Sequence, residues 1–299
     1  MWHPEAGWRR LGAGPLSAGV WLASEGGRDV VVKRLARPSP VEDTGVNDPA
    51  DVNYWRRGAD VALSGAVDTT PGLRGPRVVG VEEDDEGITV VHEHVAAVVH
   101  PGLWLAACLG RFAGAPLPPA PWLARGQLRS RLALVARRGG WTSLARTQAG
   151  PAAEELWRRR SQWLEVSDQL PQVSQHGDPV PANVPGRHGE DGVAVDWAHL
   201  GTAPVGADLG YLSLSTREEL EPLVDAYVQA LPAGLASRDQ VLVGARTTAV
   251  YTALTRLDWA LSRVATGDHP VESTFSHPSV SPYIRGMQRQ LPHIEALLA

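Results

Sequence analysis

The stretch QHGDPVPAN (175–183), followed by VAVDW (193–197), determines which fold this chain is expected to adopt. Asp178 and Asn183 are separated by two prolines, which restrict the backbone and let both side chains face one point. Asp196 lies at the end of an apolar run that we predict to be a short buried strand, which presents the carboxylate at its edge. The sequence therefore predicts that two carboxylates and one amide meet at one place.

Two carboxylates and an amide oxygen form a ligand set that suits Mg²⁺ rather than zinc. Their spacing is that of a kinase catalytic loop followed by its metal-binding Asp. In phosphoryl transfer Asp178 would accept a hydrogen bond from the attacking hydroxyl, and Asn183 and Asp196 would hold Mg²⁺ that bridges the phosphates of ATP. The alternative is that all three stabilise turns through their own backbone, but their joint spacing favours phosphoryl transfer.

A cation must also reach the α- and β-phosphates. The chain has 28 basic residues, and Lys33 is the only lysine among them. It lies in VVVKRL (30–35), which we predict to be a strand rigid enough to hold the ammonium group in place. An edge-protecting lysine is the alternative, and the surrounding motif favours the phosphate role.

The first 95 residues have the pattern of strands and turns. Two hairpins are predicted, 19–23 with 29–35 and 77–82 with 88–95. Between them Asp51 is expected to cap a helix that ends near Ser64.

From about residue 96 the apolar residues recur at helical spacing, and a loop-rich segment spans 171–210. Pro-rich residues 115–121 are predicted to be extended. The predicted helices are 102–114, 123–137, 151–169, 217–230, 238–265 and 281–298.

Length and composition exclude several classes. A chain of 299 residues with 43% hydrophobic residues is long enough for one large or two smaller globular domains. A net charge of −5 disfavours a nucleic-acid binder, and a single cysteine, Cys108, excludes an intramolecular disulfide and a thiolate zinc cluster. We see no signal peptide and no apolar run long enough for a membrane span, so we expect a cytoplasmic protein.

With these motifs the chain resembles the aminoglycoside phosphotransferase family, a branch of the protein-kinase-like fold, over nearly its whole length. The resemblance implies an α+β, bilobal architecture, with a small β-rich N-lobe (1–95) that binds nucleotide and a larger helical C-lobe (96–299) that carries the catalytic loop. It implies an ATP- and Mg²⁺-dependent kinase for a hydroxyl of a small molecule. We expect a monomer or dimer without nucleic-acid or membrane partners.

The resemblance also assigns roles to individual residues. Asp208 in PVGADL (204–209) corresponds to an Asp that braces the catalytic loop, and His176 is expected to pack beneath that loop. The expected nucleotide-binding residues lie in the glycine-rich stretch 11–19 and at the hinge between the two lobes, into which the predicted strand 88–95 leads. They are Ser17, Gly19, Glu93 and Val95, together with Lys33. The glycines of that stretch, Gly12, Gly14 and Gly19, have a simple hairpin turn as their alternative.

One position departs from the family pattern. The family usually places a Glu on the N-lobe helix to pair with the strand lysine, and here Gly58 occupies that place. Asp60 lies about 200° further round the helix and does not replace it. An alternative function is therefore a catalytically weak nucleotide-binding or scaffold protein, in which Lys33 is poorly ordered. A second alternative, a peptide or protein hydroxyl kinase, shares all the catalytic residues.

Two further motifs are given structural explanations. His92 and His94 alternate on one strand but have no third zinc ligand at a recognisable distance, so we expect them to line the hinge. The acidic run 82–86 lacks the alternating oxygens of a calcium loop and is predicted to be a solvated turn.

The acceptor is the least defined part of the prediction. We expect Arg256, Asp258 and Trp259, on the predicted helix 238–265, to form a wall of the acceptor site. A site for polycationic aminoglycosides calls for an excess of carboxylates. From residue 217 onward acidic and basic residues nearly balance, so the sequence does not indicate antibiotic resistance.

Overall fold

The computed structural model describes residues 2–12, 17–39, 44–264 and 271–299. At its N-terminal end, strands with alternating apolar residues form a five-stranded antiparallel sheet. The strands are β1 (Arg9–Gly12), β2 (Ser17–Glu25), β3 (Arg28–Ala36), β5 (Val78–Asp84) and β6 (Gly87–Glu93), and β4 (Leu73–Arg74) lies outside this sheet. Their spatial order is β1-β2-β3-β6-β5. Both predicted hairpins, β2 with β3 and β5 with β6, are confirmed.

The alternation of side chains along β3 places its lysine. Val30 and Val32 are buried on the outer face of the sheet, whereas Val31, Lys33 and Leu35 line a cleft on the opposite face. Lys33 pairs with Val90 of β6, and β3 is the central strand. The edge-protecting alternative for Lys33 is therefore wrong.

Helix α1 (Arg57–Ser64) begins five residues later than predicted. Asp51 does not cap it, because the Asp51 carboxylate accepts the amide of Asn53 (2.7 Å) in a turn. The chain before α1 instead wraps around the fully buried Arg57, whose guanidinium binds the carbonyl oxygens of Pro49, Asp51 and Val52. A tertiary contact thus sets the start of this helix.

The rest of the chain is mainly helical. Its helices are α2 (Gly102–Ala113), α3 (Gln127–Arg137), α4 (Gly150–Asp168), α5 (Ala207–Ser213), α6 (Leu220–Ala230), α7 (Arg238–Val264), α8 (Ser281–Arg289) and α9 (Leu291–Leu298). One hydrophobic core lies among α2, α5 and α6, and a second among α3, α4, the C-terminal half of α7 and α9. Residues 115–120 carry no helix or strand, as predicted.

Four short strands lie in the predicted loop-rich segment: β7 (Gln172–Gln175), β8 (Gly186–His188), β9 (Asp191–Val193) and β10 (Gly201–Pro204). Strand β7 pairs with β10, and β9 lies between β4 and β8. The predicted strand 193–197 is wrong, since β9 ends at Val193 and Asp196 has a φ of 62°, a left-handed conformation that interrupts a strand.

Helical boundaries also differ where proline or a bridge intervenes. The predicted helix 281–298 is two helices, because Pro292 lacks the amide that would continue α8. Helix α3 begins at Gln127, after Ala124 has formed a bridge with Gly201.

The fold is the predicted α+β arrangement of a β-rich N-lobe and a helical C-lobe. The proposed boundary between residues 95 and 96 falls in the connection from β6 to α2 and stays a prediction. Across the described parts of the chain, no helix combines the length and apolarity needed to cross a membrane.

Candidate active site

A cleft of about 480 Å³ lies between the sheet and the loops of the C-lobe. This volume falls within the range of small-molecule sites. The N-lobe contributes Lys33 and Gly58, and the C-lobe contributes Asn183 and Asp196. The structure therefore brings the predicted lysine to the predicted metal-ligand residues.

The loop after β7 is held from below by Asp208. Its fully buried carboxylate accepts the amides of His176 (2.6 Å) and Gly177 (2.9 Å). Burial raises the pKa of Asp208, although the two amides and His176 oppose this. Gly177 has a φ of +83°, and a Cβ there would lie 2.6 Å from the Cβ of His199, so the tight loop requires glycine.

His176 lies beneath the loop, as predicted. It is fully buried, its Nε2 is 2.9 Å from the carbonyl oxygen of Val195, and its ring packs on Trp197 at 4.6 Å between centroids. Its Nδ1 accepts the Asp178 amide at 3.2 Å. The histidine thus connects the backbones on either side of the site.

Asp178 and Asn183 are in direct contact. Asn183 ends a short 3-10 helix, Pro181–Asn183, and its Nδ2 donates to the carbonyl oxygen (2.9 Å) and the Oδ2 (3.1 Å) of Asp178. The amide nitrogen is thereby used to orient the Asp178 carboxylate, which leaves the amide oxygen of Asn183 as the atom that could bind a metal ion.

Asp196 forms an ion pair with Lys33, with 2.5 Å between Oδ1 and Nζ. Burial acts to raise the pKa of Asp196, but the Lys33 ammonium, with His176 and His199, outweighs burial and lowers it. Among the described residues other than glycine, Asp196 alone has a positive φ. A strained backbone at a functional carboxylate is typical of active sites.

The lysine therefore has a partner despite Gly58. Gly58 lines the cleft, and a Cβ added to it would meet nothing within 4 Å. Asp60 pairs with Arg56 at 3.0 Å and is not the partner of Lys33. The expectation that Lys33 lacks a carboxylate is wrong, because Asp196 supplies one from the other lobe.

The predicted nucleotide-binding residues divide into two groups. Ser17, Glu93 and Val95 line the cleft, and the hydroxyl of Ser17 has no hydrogen-bond partner among the described residues. Gly19 does not line it; a Cβ there would lie 2.5 Å from the ring of Trp21, so this glycine makes room for the tryptophan. Gly14 lies outside the described residues.

The two hinge histidines also line the cleft. Burial, and then the charge of Lys33, lower the pKa of His92 to about 4, so its imidazole is neutral at pH 7. Its Nδ1 has no partner within the described residues. In the same ranges, no group of three or more His, Cys, Asp or Glu side chains could hold a metal ion.

The predicted acceptor wall is only partly assembled. Arg256 stacks on Tyr211, with 4.3 Å from its Cζ to the ring centroid. Asp258 instead accepts the amides of Ser143 and Leu144, both at 2.9 Å. Trp259 is 45% exposed and makes an edge contact with Tyr283. Asp258 is thus occupied within the helical lobe, whereas Trp259 lies at its surface.

The family follows from comparison of the whole sequence. A model of the phosphotransferase enzyme family matches residues 8–241. The chain belongs to this family. No curated protein sequence is significantly similar to the chain.

Solved structures share the fold at low sequence identity. A choline/ethanolamine kinase family protein from Mesorhizobium loti is 17% identical, with 97% of this chain and 92% of that one covered and a TM-score of 0.56. An aminoglycoside phosphotransferase mutant bound to ADP and hygromycin B is 12% identical, with coverage of 97% and 94% and the same TM-score of 0.56. An amicoumacin kinase with AMP-PNP and Ca²⁺ is also 12% identical, with coverage of 99% and 94% and a TM-score of 0.56.

The expected phosphotransferase family is thereby confirmed by the family model, and the protein-kinase-like fold by the solved structures. The structure adds residues that the sequence analysis missed. They are Arg57 beneath α1, and Tyr211, Arg131 and His199 beside Asp178. Only Tyr211 had a signal, since it lies one helical turn after Asp208.

Proposed function

We propose that this phosphotransferase uses ATP and Mg²⁺ to phosphorylate a hydroxyl group of a small molecule. The observation that carries the proposal is the Lys33–Asp196 ion pair, which joins the two lobes beside the Asp178–Asn183 contact. Phosphoryl transfer calls for a cation at the phosphates, oxygen ligands for the metal ion and a carboxylate for the acceptor hydroxyl, and residues of these types lie in or next to the cleft.

Asp178 has the role of orienting the acceptor. Its carboxylate is held by the Nδ2 of Asn183, and its backbone is held through His176. A carboxylate so fixed accepts a hydrogen bond from the attacking hydroxyl and points the oxygen toward the transferred phosphoryl group. Because the transition state is loose, orientation contributes more than removal of the proton.

Lys33 would bind the phosphates of the nucleotide. Its ammonium lies on the central strand of the sheet, and its side chain is 22% exposed toward the cleft. The unpartnered hydroxyl of Ser17 lines the same cleft and is available to a phosphate oxygen. The adenine end would lie toward Glu93 and Val95 at the hinge.

The donor set fits Mg²⁺. The lowered pKa keeps Asp196 ionised at neutral pH, and Asn183 has a free amide oxygen. These two residues would hold the ion, since Mg²⁺ in nucleotide sites is bound by one or two carboxylates together with substrate phosphates. When bound, the ion neutralises negative charge on those phosphates.

The experiment separates binding from turnover. With Asp178→Asn we expect nearly unchanged ATP affinity by calorimetry and a loss of phosphotransfer by roughly 100-fold or more in a screen of hydroxylated metabolites and antibiotics. With Asp196→Asn we expect weaker ATP binding only when Mg²⁺ is present.

Asp225→Asn is the matched control, because Asp225 forms an exposed ion pair with Arg238 on the surface. Equal turnover by wild type and Asp178→Asn would refute the role of Asp178. An Mg²⁺-independent defect in Asp196→Asn would refute the metal assignment.

A further inference from the structure

Two arginines stack on one tyrosine beside the catalytic loop. Tyr211 of α5 is buried, and its ring centroid lies 5.0 Å from the Cζ of Arg131 on α3 and 4.3 Å from that of Arg256 on α7. A guanidinium that lies over an aromatic ring keeps N–H groups that can donate to other acceptors. Three helices therefore place two positive charges around one ring.

Neither arginine has a carboxylate partner among the residues that the structure describes. Other arginines on the same helices do: Arg129 of α3 pairs with Asp168, and Arg238 of α7 pairs with Asp225. The two guanidinium groups at Tyr211 are thus an uncompensated positive charge in a chain whose net charge is −5.

This charge lies next to the catalytic carboxylate. Burial raises the pKa of Tyr211, Arg256 and Arg131 lower it, and Asp178, within reach of the Tyr211 hydroxyl, raises it again. The same two groups, Arg131 and Asp178, also act on the buried imidazole of His199. Asp178 and the two arginines therefore lie around the same tyrosine.

The neighbouring carboxylates are already occupied. Asp208 binds the loop amides, Asp258 binds the amides of Ser143 and Leu144, and Asp168 pairs with Arg129. Around Tyr211 the described residues therefore supply no unpaired acid except Asp178 that could receive a cationic nitrogen.

A small cavity lies next to Tyr211 and Arg131. It has a volume of about 40 Å³ and is lined by Arg131, Tyr211 and Gly177. Two further residues of its wall, Gln175 and Thr252, each carry a buried polar atom with no partner in the described ranges. Unsatisfied polar groups favour an oxygen-bearing occupant over an apolar one.

We infer that the acceptor is a hydroxylated small molecule that also carries an anionic group, a carboxylate or a phosphate, which Arg131 and Arg256 bind while its hydroxyl faces Asp178. The inference rests on the proposed function and narrows its substrate class. Charge-assisted hydrogen bonds from guanidinium to carboxylate or phosphate orient the acceptor, whereas an aminoglycoside or choline, with cationic nitrogen, is repelled.

Hydroxylated probes that differ in charge test whether the site prefers an anionic acceptor to a cationic one. Binding of D-glucuronate, D-glucose and D-glucosamine, and of glycerate, glycerol and 2-amino-1,3-propanediol, is measured by calorimetry with the whole chain. We expect each acid to bind roughly tenfold or more tightly than its amine. Equal affinities, tighter binding of the amine, or no binding of either acid at millimolar concentration would overturn the inference.

Variants then locate the charge. Arg256→Gln and Arg131→Gln should each weaken binding of the acids by roughly tenfold, so that the difference in affinity between acid and amine becomes smaller. Arg256→Lys, which keeps the positive charge, should restore part of the affinity for the acids. Arg238→Gln, on the same helix as Arg256 and at the surface, is the control. A structural defect would weaken all three probes of a set alike, and that result also counts against the inference.

The proposed function and the anionic acceptor can be refuted independently of each other. Asp178-dependent phosphotransfer to an amine-bearing acceptor would preserve the proposed function and refute the anionic acceptor. An acid that binds through Arg256 without any Asp178-dependent transfer would refute the proposed function and preserve the anion site.

Discussion

Arg57 gives the sharpest stability prediction. Its guanidinium is fully buried and donates five hydrogen bonds, all to backbone carbonyl oxygens: those of Pro49, Asp51 and Val52 before α1 and those of Trp122 and Ala198 in the C-lobe, at 2.5 to 3.2 Å. The side chain thus ties α1 to the other lobe. We predict that Arg57→Met destabilises the protein strongly.

The magnitude follows from two opposing effects. Five hydrogen bonds from a charged donor contribute about 7.5 kcal/mol if each is taken at about 1.5 kcal/mol. Burial lowers the pKa of Arg57 to about 10, against 12.5 ordinarily, and this shift corresponds to a cost of about 3 kcal/mol for the charged form. The difference predicts a loss of about 4 kcal/mol in the free energy of unfolding.

Urea unfolding of wild type, Arg57→Met and Arg56→Met measures this difference. Arg56 is the matched control, because the adjacent guanidinium is partly exposed and pairs with the carboxylates of Asp60 and Glu83 instead of backbone carbonyls. Its replacement should cost at most about 1 kcal/mol. If both variants lose the same small amount, the five carbonyl contacts contribute little and the reasoning is refuted.

Two other predictions concern the cleft. Burial first, then Lys33 for His92 and Arg131 for His199, lower both imidazole pKa values to about 4, so the unfolded chain binds more protons between pH 6.5 and 4. The free energy of unfolding should therefore fall as the pH drops through this window, by up to about 3 kcal/mol per histidine, and urea titrations of the double His→Gln variant should show a flatter profile. Gly58→Ala should stabilise α1 by about 1 kcal/mol, because its Cβ meets open space. Gly58→Glu should compete with Asp196 for Lys33 and change ATP affinity relative to Gly58→Ala; identical affinities would show that the added carboxylate does not reach Lys33.

Local patterns predicted much of the fold. The run VVVKRL was predicted to be a strand that carries Lys33, which the structure shows as part of β3, and the two hairpins followed from turn residues. The spacing of Asp178 and Asn183 predicted a contact that the structure shows at 3.1 Å. These features depend on residues close together in the chain, where periodicity and turn chemistry are informative.

The failures share a different cause. The start of α1 depends on Arg57 binding carbonyls up to 141 positions away, at Ala198, and the backbone of Asp196 departs from a strand in a segment where its carboxylate meets Lys33, 163 positions distant. The contacts of Tyr211 with Arg131 and Arg256 likewise join three helices. No local pattern carries such contacts, because they arise only when the two lobes and the helical cores pack.

Lys33, the only lysine of the chain, lies in the cleft with its Nζ against Asp196. Apart from the amino terminus, the chemistry of primary amines in this protein is therefore confined to one side chain in the cleft between the two lobes. A reagent that acylates amines adds one mass increment there, and a nucleotide that covers the ammonium slows the addition. A mass map of the peptides separates acylation of Lys33 from that of the amino terminus, and its rate reports occupancy of the cleft without an introduced label or a known acceptor.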